Sequence, residues 1–413
     1  MTSIKAFELM EELAEHGTAP STGCALFGVG YEDAYRRLRD KYLLGRFERG
    51  RSAEKFVIGP FGSGKSHFSR QLMEIARDMG CVTAEVQLNK DLDFAQNLVI
   101  YREVVRAIRP PYGEHRGIRA LLMAALDEVR RRTESASEAV RDQLVNAWVT
   151  GLESADFELE LFGQVAKRGL EALIRGEVLV FEAACRWLGG EVADRQLARD
   201  LCLTSVPREE QRRHGRLALL SLFQFIRHAG FQGTVLAYDE AEQGLSVDRR
   251  KEERIHSLLQ SDINAVTSLK NGSVLILYAF TPDIVSRMEK FPALAQRIAD
   301  PSVEHGFFDG NTFAPRIDLT RRGNQDPAED LRAIGHRLVD LLYEEEQDRL
   351  TVSKVQVLER VTQIANEIVE QDITTSNRRT MVKLTATVLS RLYENGQLIE
   401  PPKDMGSWIE DEV

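Results

Sequence analysis

The stretch that decides the fold reads Gly59-Pro60-Phe61-Gly62-Ser63-Gly64-Lys65-Ser66. The stretch Glu54-Lys55-Phe56-Val57-Ile58 before it predicts a short buried strand, and helical spacing of apolar side chains over residues 67–78 predicts a helix after it. The three glycines allow the backbone to wrap closely, so that amide N–H groups point at phosphate oxygens. Strand, glycine-rich loop and helix together predict a phosphate-binding loop for a nucleoside triphosphate.

Two side chains at the end of this loop suit the phosphates and their metal ion. We expect Lys65 to reach the β- and γ-phosphates and the Ser66 hydroxyl to bind Mg²⁺. The helix that begins at Lys65 adds the positive end of its dipole. The predicted nucleotide-contacting residues are Gly59, Pro60, Phe61, Gly62, Ser63, Gly64, Lys65, Ser66 and His67.

A second motif is an apolar strand, over residues 233–240, that ends in two carboxylates. In α/β sheets ligands bind at the carboxyl ends of the strands, which is where Asp239 and Glu240 stand. We expect Asp239 to hold the Mg²⁺ shell, and Glu240 to orient and deprotonate the attacking water. An isolated acid pair would indicate a solvated strand end, but pairing with the phosphate loop predicts hydrolysis of the nucleotide.

Four further residues each leave two interpretations open. Thr281 follows an apolar strand over residues 273–280, and it suits a hydrogen bond to the γ-phosphate, a helix N-cap before proline, or both. Arg297 suits either insertion into a neighbouring subunit's site or a surface ion pair. Arg378 and Arg379 stand at a predicted helix start; one of them folds over the nucleotide from a small lid domain, or both belong to a solvated helix end.

The chain as a whole predicts an α/β fold of the P-loop NTPase class. We expect its parallel sheet to carry a large helical insertion and a C-terminal helical lid domain. Strands are predicted over residues 54–58, 81–88, 233–240, 273–280 and 316–320. The predicted divisions are an N-terminal helical segment (1–53), the ATPase core (54–322) with its insertion (about 93–229), the lid (323–400) and an acidic tail (401–413).

Composition limits the classes of function. The 413 residues carry a net charge of −10, which argues against a protein that coats nucleic acid without specificity. The four cysteines have no metal-ligand spacing, no apolar run is long enough for a membrane span, and no signal peptide is evident, so we expect a cytoplasmic protein without membrane contact. The basic stretch over residues 36–51 indicates a solvated helix face, or a contact surface for nucleic acid or an acidic partner.

The order of these motifs resembles an AAA+ ATPase of the initiator type across roughly residues 25–395, and more closely the ATP-binding, BrxD-like proteins of BREX phage-defence systems. The insertion between the second and third strands also resembles that family. The segments that carry the resemblance are residues 59–66, 235–243, 281–282, 293–297 and 377–379.

The resemblance implies ATP and Mg²⁺ as cofactors, Thr281 as a first sensor, Arg297 as a finger in a homo-oligomer, and Arg378 or Arg379 as a second sensor. The pattern around Arg297 departs from an initiator finger. The function implied is an ATPase that acts with DNA and other defence-system proteins. The alternative is a slow nucleotide-dependent switch that controls a partner protein without binding DNA.

Overall fold

The structure is a computed structural model, and it describes residues 5–88, 96–203, 214–240, 249–299, 306–320, 327–370 and 377–400. Its centre is a five-stranded sheet in the order β2-β3-β4-β1-β5, in which every neighbouring pair is parallel. The strands are β1 (Ala53–Ile58), β2 (Val82–Gln87), β3 (Thr234–Asp239), β4 (Val274–Phe280) and β5 (Arg316–Asp318). The α/β class and all five predicted strands are therefore confirmed.

Helices cover both faces of this sheet. Those before β2 are α1 (Ala6–His16), α2 (Cys24–Phe27), α3 (Glu32–Leu38), a π-helix (Arg39–Leu44), a 3₁₀ helix (Phe47–Arg49) and α4 (Lys65–Asp78). Between β2 and β3 the chain forms α5 (Asn97–Ala107), α6 (Ile118–Arg132), α7 (Glu138–Gly151), α8 (Glu160–Arg175), α9 (Val178–Leu188), α10 (Arg195–Asp200) and α11 (Gly215–His228). This block is the predicted helical insertion.

The remaining helices follow the acid-pair strand. They are α12 (Arg249–Ser268), α13 (Pro282–Met288), α14 (Pro292–Ile298), α15 (Pro327–Glu346), a 3₁₀ helix (Gln347–Arg349), α16 (Lys354–Glu370) and α17 (Asn377–Asn395). Among the described residues, no helix combines the length and apolar character that crossing a membrane requires.

The strands alternate between two apolar cores, because successive side chains of a strand point to opposite faces. In β1, Phe56 and Ile58 pack in the cluster that includes the helical insertion, whereas Val57 packs with α3 and α4. All residues of β4 are buried, as expected for a central parallel strand covered on both faces.

A third apolar cluster joins the two ends of the chain. Helix α1 packs against α15 and α17, and Phe27, Val29 and residues of α16 belong to the same cluster. Gly17 ends α1 in a left-handed conformation, which glycine adopts readily. The N-terminal segment therefore shares an apolar core with the C-terminal helices. The domain division predicted from the sequence, with a boundary at residue 53, does not include this contact.

Several arginines of the basic stretch over residues 36–51 form ion pairs or hydrogen bonds within the protein. Arg36 pairs with Asp33 at 2.5 Å and Arg39 with Asp40 at 2.8 Å. Arg37 donates to the Phe307 carbonyl at 2.6 Å. These contacts agree with a solvated face, and a role in nucleic-acid contact stays a prediction.

Candidate nucleotide site

The glycine-rich loop connects β1 to α4 in a conformation that requires glycine. Gly62 and Gly64 have φ of 71° and 94°, in the left-handed region that side chains disfavour. At Gly59 an added Cβ would lie 2.3 Å from the Ser63 hydroxyl oxygen, so a side chain there would displace Ser63. The backbone conformation of the loop thus explains its glycine residues.

Lys65 is buried at the first position of α4. Its Nζ donates to the carbonyls of Gly59 at 2.9 Å and Pro60 at 3.1 Å, and it lies 5.3 Å from the centre of the Phe61 ring. Ser63 Oγ is buried and has no hydrogen-bond partner within the described chain. A phosphate in the loop would offer this ammonium group a charged acceptor, which makes stronger hydrogen bonds than a carbonyl.

The acid pair stands at the same edge of the sheet. Asp239 ends β3 and is 3% exposed, and its Oδ1 accepts a hydrogen bond from the Glu240 N–H at 3.0 Å. Glu240 has φ of 52°, a left-handed conformation that is uncommon for a residue other than glycine. Such backbone strain costs roughly 1–3 kcal/mol and concentrates at functional sites.

One cavity of about 290 Å³ joins the loop, the acid pair and both ends of the chain. The predicted site residues that line it are Phe61, Gly62, Gly64, Lys65, Ser66, His67, Asp239, Glu240, Arg378 and Arg379. Five predicted residues are not among those that line it: Gly59, Pro60 and Ser63 of the loop, Thr281 and Arg297. Thr281 is buried at the N-cap of α13 without a side-chain cap hydrogen bond, and Arg297 is exposed on α14.

Arg378 connects α17 to α15 and to the N-terminal segment. Its Nη2 donates to Asp330 Oδ2 at 2.6 Å, and its Nη1 reaches the Val29 carbonyl at 3.4 Å. The guanidinium also lies 4.9 Å from the centre of the Tyr31 ring. Arg379 Nη2 donates to the His16 carbonyl at 3.2 Å, so both arginines meet residues from the start of the chain.

Arg70 lines the cavity and was not predicted from the sequence. It donates to both carboxylate oxygens of Glu85, at 2.8 and 3.0 Å, and to the Ala19 carbonyl. Burial opposes its charge, but Glu85 outweighs burial and raises the pKa of Arg70. The signal that could have found it is its spacing of four residues from Ser66, which puts both on one face of α4.

The N-terminal segment approaches α4 closely at Gly28. A Cβ at Gly28 would lie 2.6 Å from a His67 ring carbon and 2.2 Å from the Gln71 amide oxygen. The Phe27 ring meets the His67 ring edge-on at a centroid distance of 4.9 Å. Burial, followed by the charge of Arg378, lowers the pKa of His67 to about 4, so this imidazole is neutral at pH 7.

The donors of this cavity fit a magnesium nucleotide. Ser66 and Asp239 offer the hard oxygen ligands that Mg²⁺ prefers. Within the part of the chain that the structure describes, no cluster of three His, Cys, Asp or Glu side chains forms a metal cage, so phosphate and water would complete the shell. Apolar side chains for a nucleobase come from both chain ends: Phe27, Val29, Ile334 and Val382.

Comparison with known proteins identifies the family. The model of the BREX system ATP-binding protein BrxC/D family matches residues 5–406, nearly the whole chain, and the chain therefore belongs to this family. No curated protein and no solved structure matches it.

Proposed function

We propose that this BrxC/D-family protein binds MgATP in the cavity between the glycine-rich loop and the acid pair, and hydrolyses it. The observation that carries the proposal is that Lys65, Ser66, Asp239 and Glu240 line one cavity although they come from two separate strands. In this role Lys65 and the loop amides hold the phosphates, while Ser66 and Asp239 hold the metal ion. Bound Mg²⁺ supplies charge neutralisation at the β- and γ-phosphates.

Glu240 is the proposed general base. Its carboxylate would orient the attacking water and accept its proton, a contribution that typically amounts to about 10²–10⁴ in rate. The strained backbone at this position supports the assignment, because strain of this kind accompanies functional side chains.

We further propose that the C-terminal helices act as a lid over the nucleotide. The adenine would pack on the apolar side chains from the chain ends, and Arg378 or Arg379 would face the phosphates. Thr281 follows β4, which lies between β1 and β3, and this place at the sheet edge supports a role near the γ-phosphate. Arg297 is exposed and would act on a neighbouring copy in a homo-oligomer.

We propose that ATP turnover drives an action on DNA, carried out together with other proteins of the BREX system. The setting would be a cytoplasmic defence against phage. Family membership supports this setting. A second candidate is a regulatory switch with slow turnover. It is favoured by the packing of both chain ends around the cavity, because bound nucleotide alone would then stabilise their arrangement.

The deciding experiment is ATP hydrolysis by the purified protein with and without duplex DNA, beside Glu240→Gln. We expect the variant to bind ATP with wild-type affinity and to turn over on the order of 10²–10⁴ more slowly, because an amide does not accept the proton. Glu48→Gln, an exposed position away from the site, is the matched control.

Three outcomes separate the candidates. DNA-stimulated turnover that disappears in Glu240→Gln supports the DNA-coupled ATPase. ATP binding without turnover in the wild type supports the switch. Wild-type turnover in Glu240→Gln would remove Glu240 as the base.

A further inference from the structure

A second cavity, of about 480 Å³, lies beside the nucleotide cavity and shares Arg70 and Gln87 with it. It is formed by α4, β2, α5 and the segment before α6. Its lining is rich in positive charge: the arginines are Arg70, Arg77, Arg106, Arg109 and Arg116.

Two carboxylates in the lining balance only part of this charge. Glu85 is engaged by Arg70 at 2.8 Å, and Glu103 by Arg106 at 2.7 Å. The other three arginines form no ion pair with any carboxylate among the residues that the structure describes. This cavity is therefore locally cationic in a chain whose net charge is −10.

The backbone holds two of these arginines in place. Arg109 forms an antiparallel bridge with Thr83 on the edge strand β2, through N–H to O distances of 2.7 and 2.9 Å. The Gly117 N–H donates to the Ile108 carbonyl at 2.8 Å, which closes the loop that carries Arg116. Arg77 reaches the same strand through Thr83 Oγ1 at 3.4 Å.

Two observations show that the cavity suits an anion. Arg109 Nε is buried without a hydrogen-bond partner among the described residues, and a buried donor of this kind is costly to leave unpaired. Burial, and after it the repulsion from neighbouring arginines, lowers the pKa of both Arg77 and Arg109. Nearby carboxylates offset part of this effect: Glu74 and Asp78 for Arg77, and Glu114 and Glu74 for Arg109. A bound anion would satisfy the donor and relieve the repulsion.

We propose that this cavity is a second anion site, separate from the nucleotide site, which binds a small molecule carrying phosphate groups through Arg77, Arg109 and Arg116. Its volume falls within the roughly 300–1,000 Å³ typical of small-molecule sites. The arginines converge on one concavity, whereas a nucleic-acid backbone is bound by a basic stripe along a surface. The proposal stands independently of ATP hydrolysis.

The test uses inorganic pyrophosphate as the probe and the full-length Lys65→Ala protein, in which the glycine-rich loop loses its cation. Isothermal titration calorimetry should detect one pyrophosphate site in this protein. Adding Arg109→Gln and Arg116→Gln should weaken that binding on the order of tenfold or more, because two charge-assisted hydrogen-bonding groups are lost.

The matched control adds Arg130→Gln and Arg186→Gln to the Lys65→Ala protein. Both control arginines are half-exposed in the same helical insertion, so the net charge changes equally while the cavity is untouched. We expect the control to bind pyrophosphate with unchanged affinity.

Three results would overturn the proposal. They are no pyrophosphate binding by Lys65→Ala, equal weakening in the control, or retained binding after the Arg109 and Arg116 substitutions. Binding of a labelled DNA duplex that needs Arg109 and Arg116, without pyrophosphate binding, would assign the cavity to nucleic acid instead. Unchanged thermal melting of the variants ensures that they are folded.

Discussion

The nucleotide cavity has two halves that are built in different ways. The phosphate-facing half consists of short contiguous motifs at the carboxyl edge of the sheet, where the loop after β1 and the acid pair after β3 stand on buried strands. The other half is assembled from the two ends of the chain, through contacts such as Arg378 to Val29 and Arg337 to the Gly28 carbonyl.

This difference has a mechanical consequence. The sheet edge is held by the ladder of five parallel strands, so its geometry is set before any ligand arrives. The chain-end half depends on helix packing and on side-chain hydrogen bonds across its boundary, which a domain movement can break and remake. We therefore expect the first half to supply most of the binding energy for phosphate, and the second half to respond to it.

The largest effect should come from Lys65→Ala, which removes the one lysine of the phosphate-facing loop. We expect ATP affinity to fall on the order of 100-fold or more, because a charge facing two phosphates is lost. Equilibrium binding of a fluorescent ATP analogue measures this, with Lys167→Ala on α8, outside the cavity, as control. Unchanged affinity would disprove the phosphate-loop assignment and with it the contrast between the halves.

The boundary between the halves is sensitive to pH through His67. Its pKa is about 4 in the folded protein and 6.5 in the unfolded chain, so between these values the unfolded chain binds more protons. Stability from this group is complete above pH 6.5 and is lost as the pH falls towards 4. Between pH 7.5 and pH 5 the wild type should lose about 2 kcal/mol more than His67→Gln.

Urea unfolding of both proteins at the two pH values measures this difference. His16→Gln, which replaces an exposed histidine at the end of α1, should follow the wild type. Identical pH dependence of His67→Gln and the wild type would show that burial at this boundary does not hold the imidazole neutral.

The smallest effect should come from the chain-end half. Arg378→Gln breaks the 2.6 Å ion pair with Asp330 and the contact with Val29, and we expect ATP affinity to fall about five- to tenfold. Arg379→Gln loses the bond to the His16 carbonyl and should weaken binding less. Arg391→Gln, further along α17, is the control. A loss as large as that from Lys65→Ala would mean that both halves contribute equally.

The fold class and the phosphate-facing half could be predicted from the sequence, because each of their motifs requires a particular backbone conformation. The left-handed backbone at positions 62 and 64 requires glycine. Carboxylates that follow an apolar strand lie at the carboxyl edge of the sheet in which that strand pairs. Thr281 and Arg297 show the limit of this reasoning. Both follow the expected elements, yet neither lines the cavity, because a residue's position in a motif does not fix where its side chain lies.

By itself, then, the sequence determined the parallel α/β sheet, the helical insertion, the loop around Lys65 and the acid pair at Asp239 and Glu240. Only the tertiary structure decided that α1 packs with α17, that Gly28 approaches His67, and that Arg70, paired with Glu85, lines two neighbouring cavities. The physical reason is distance along the chain. Local motifs are specified by the conformations of a few adjacent residues, whereas contacts across many residues depend on how the apolar faces of whole helices pack together.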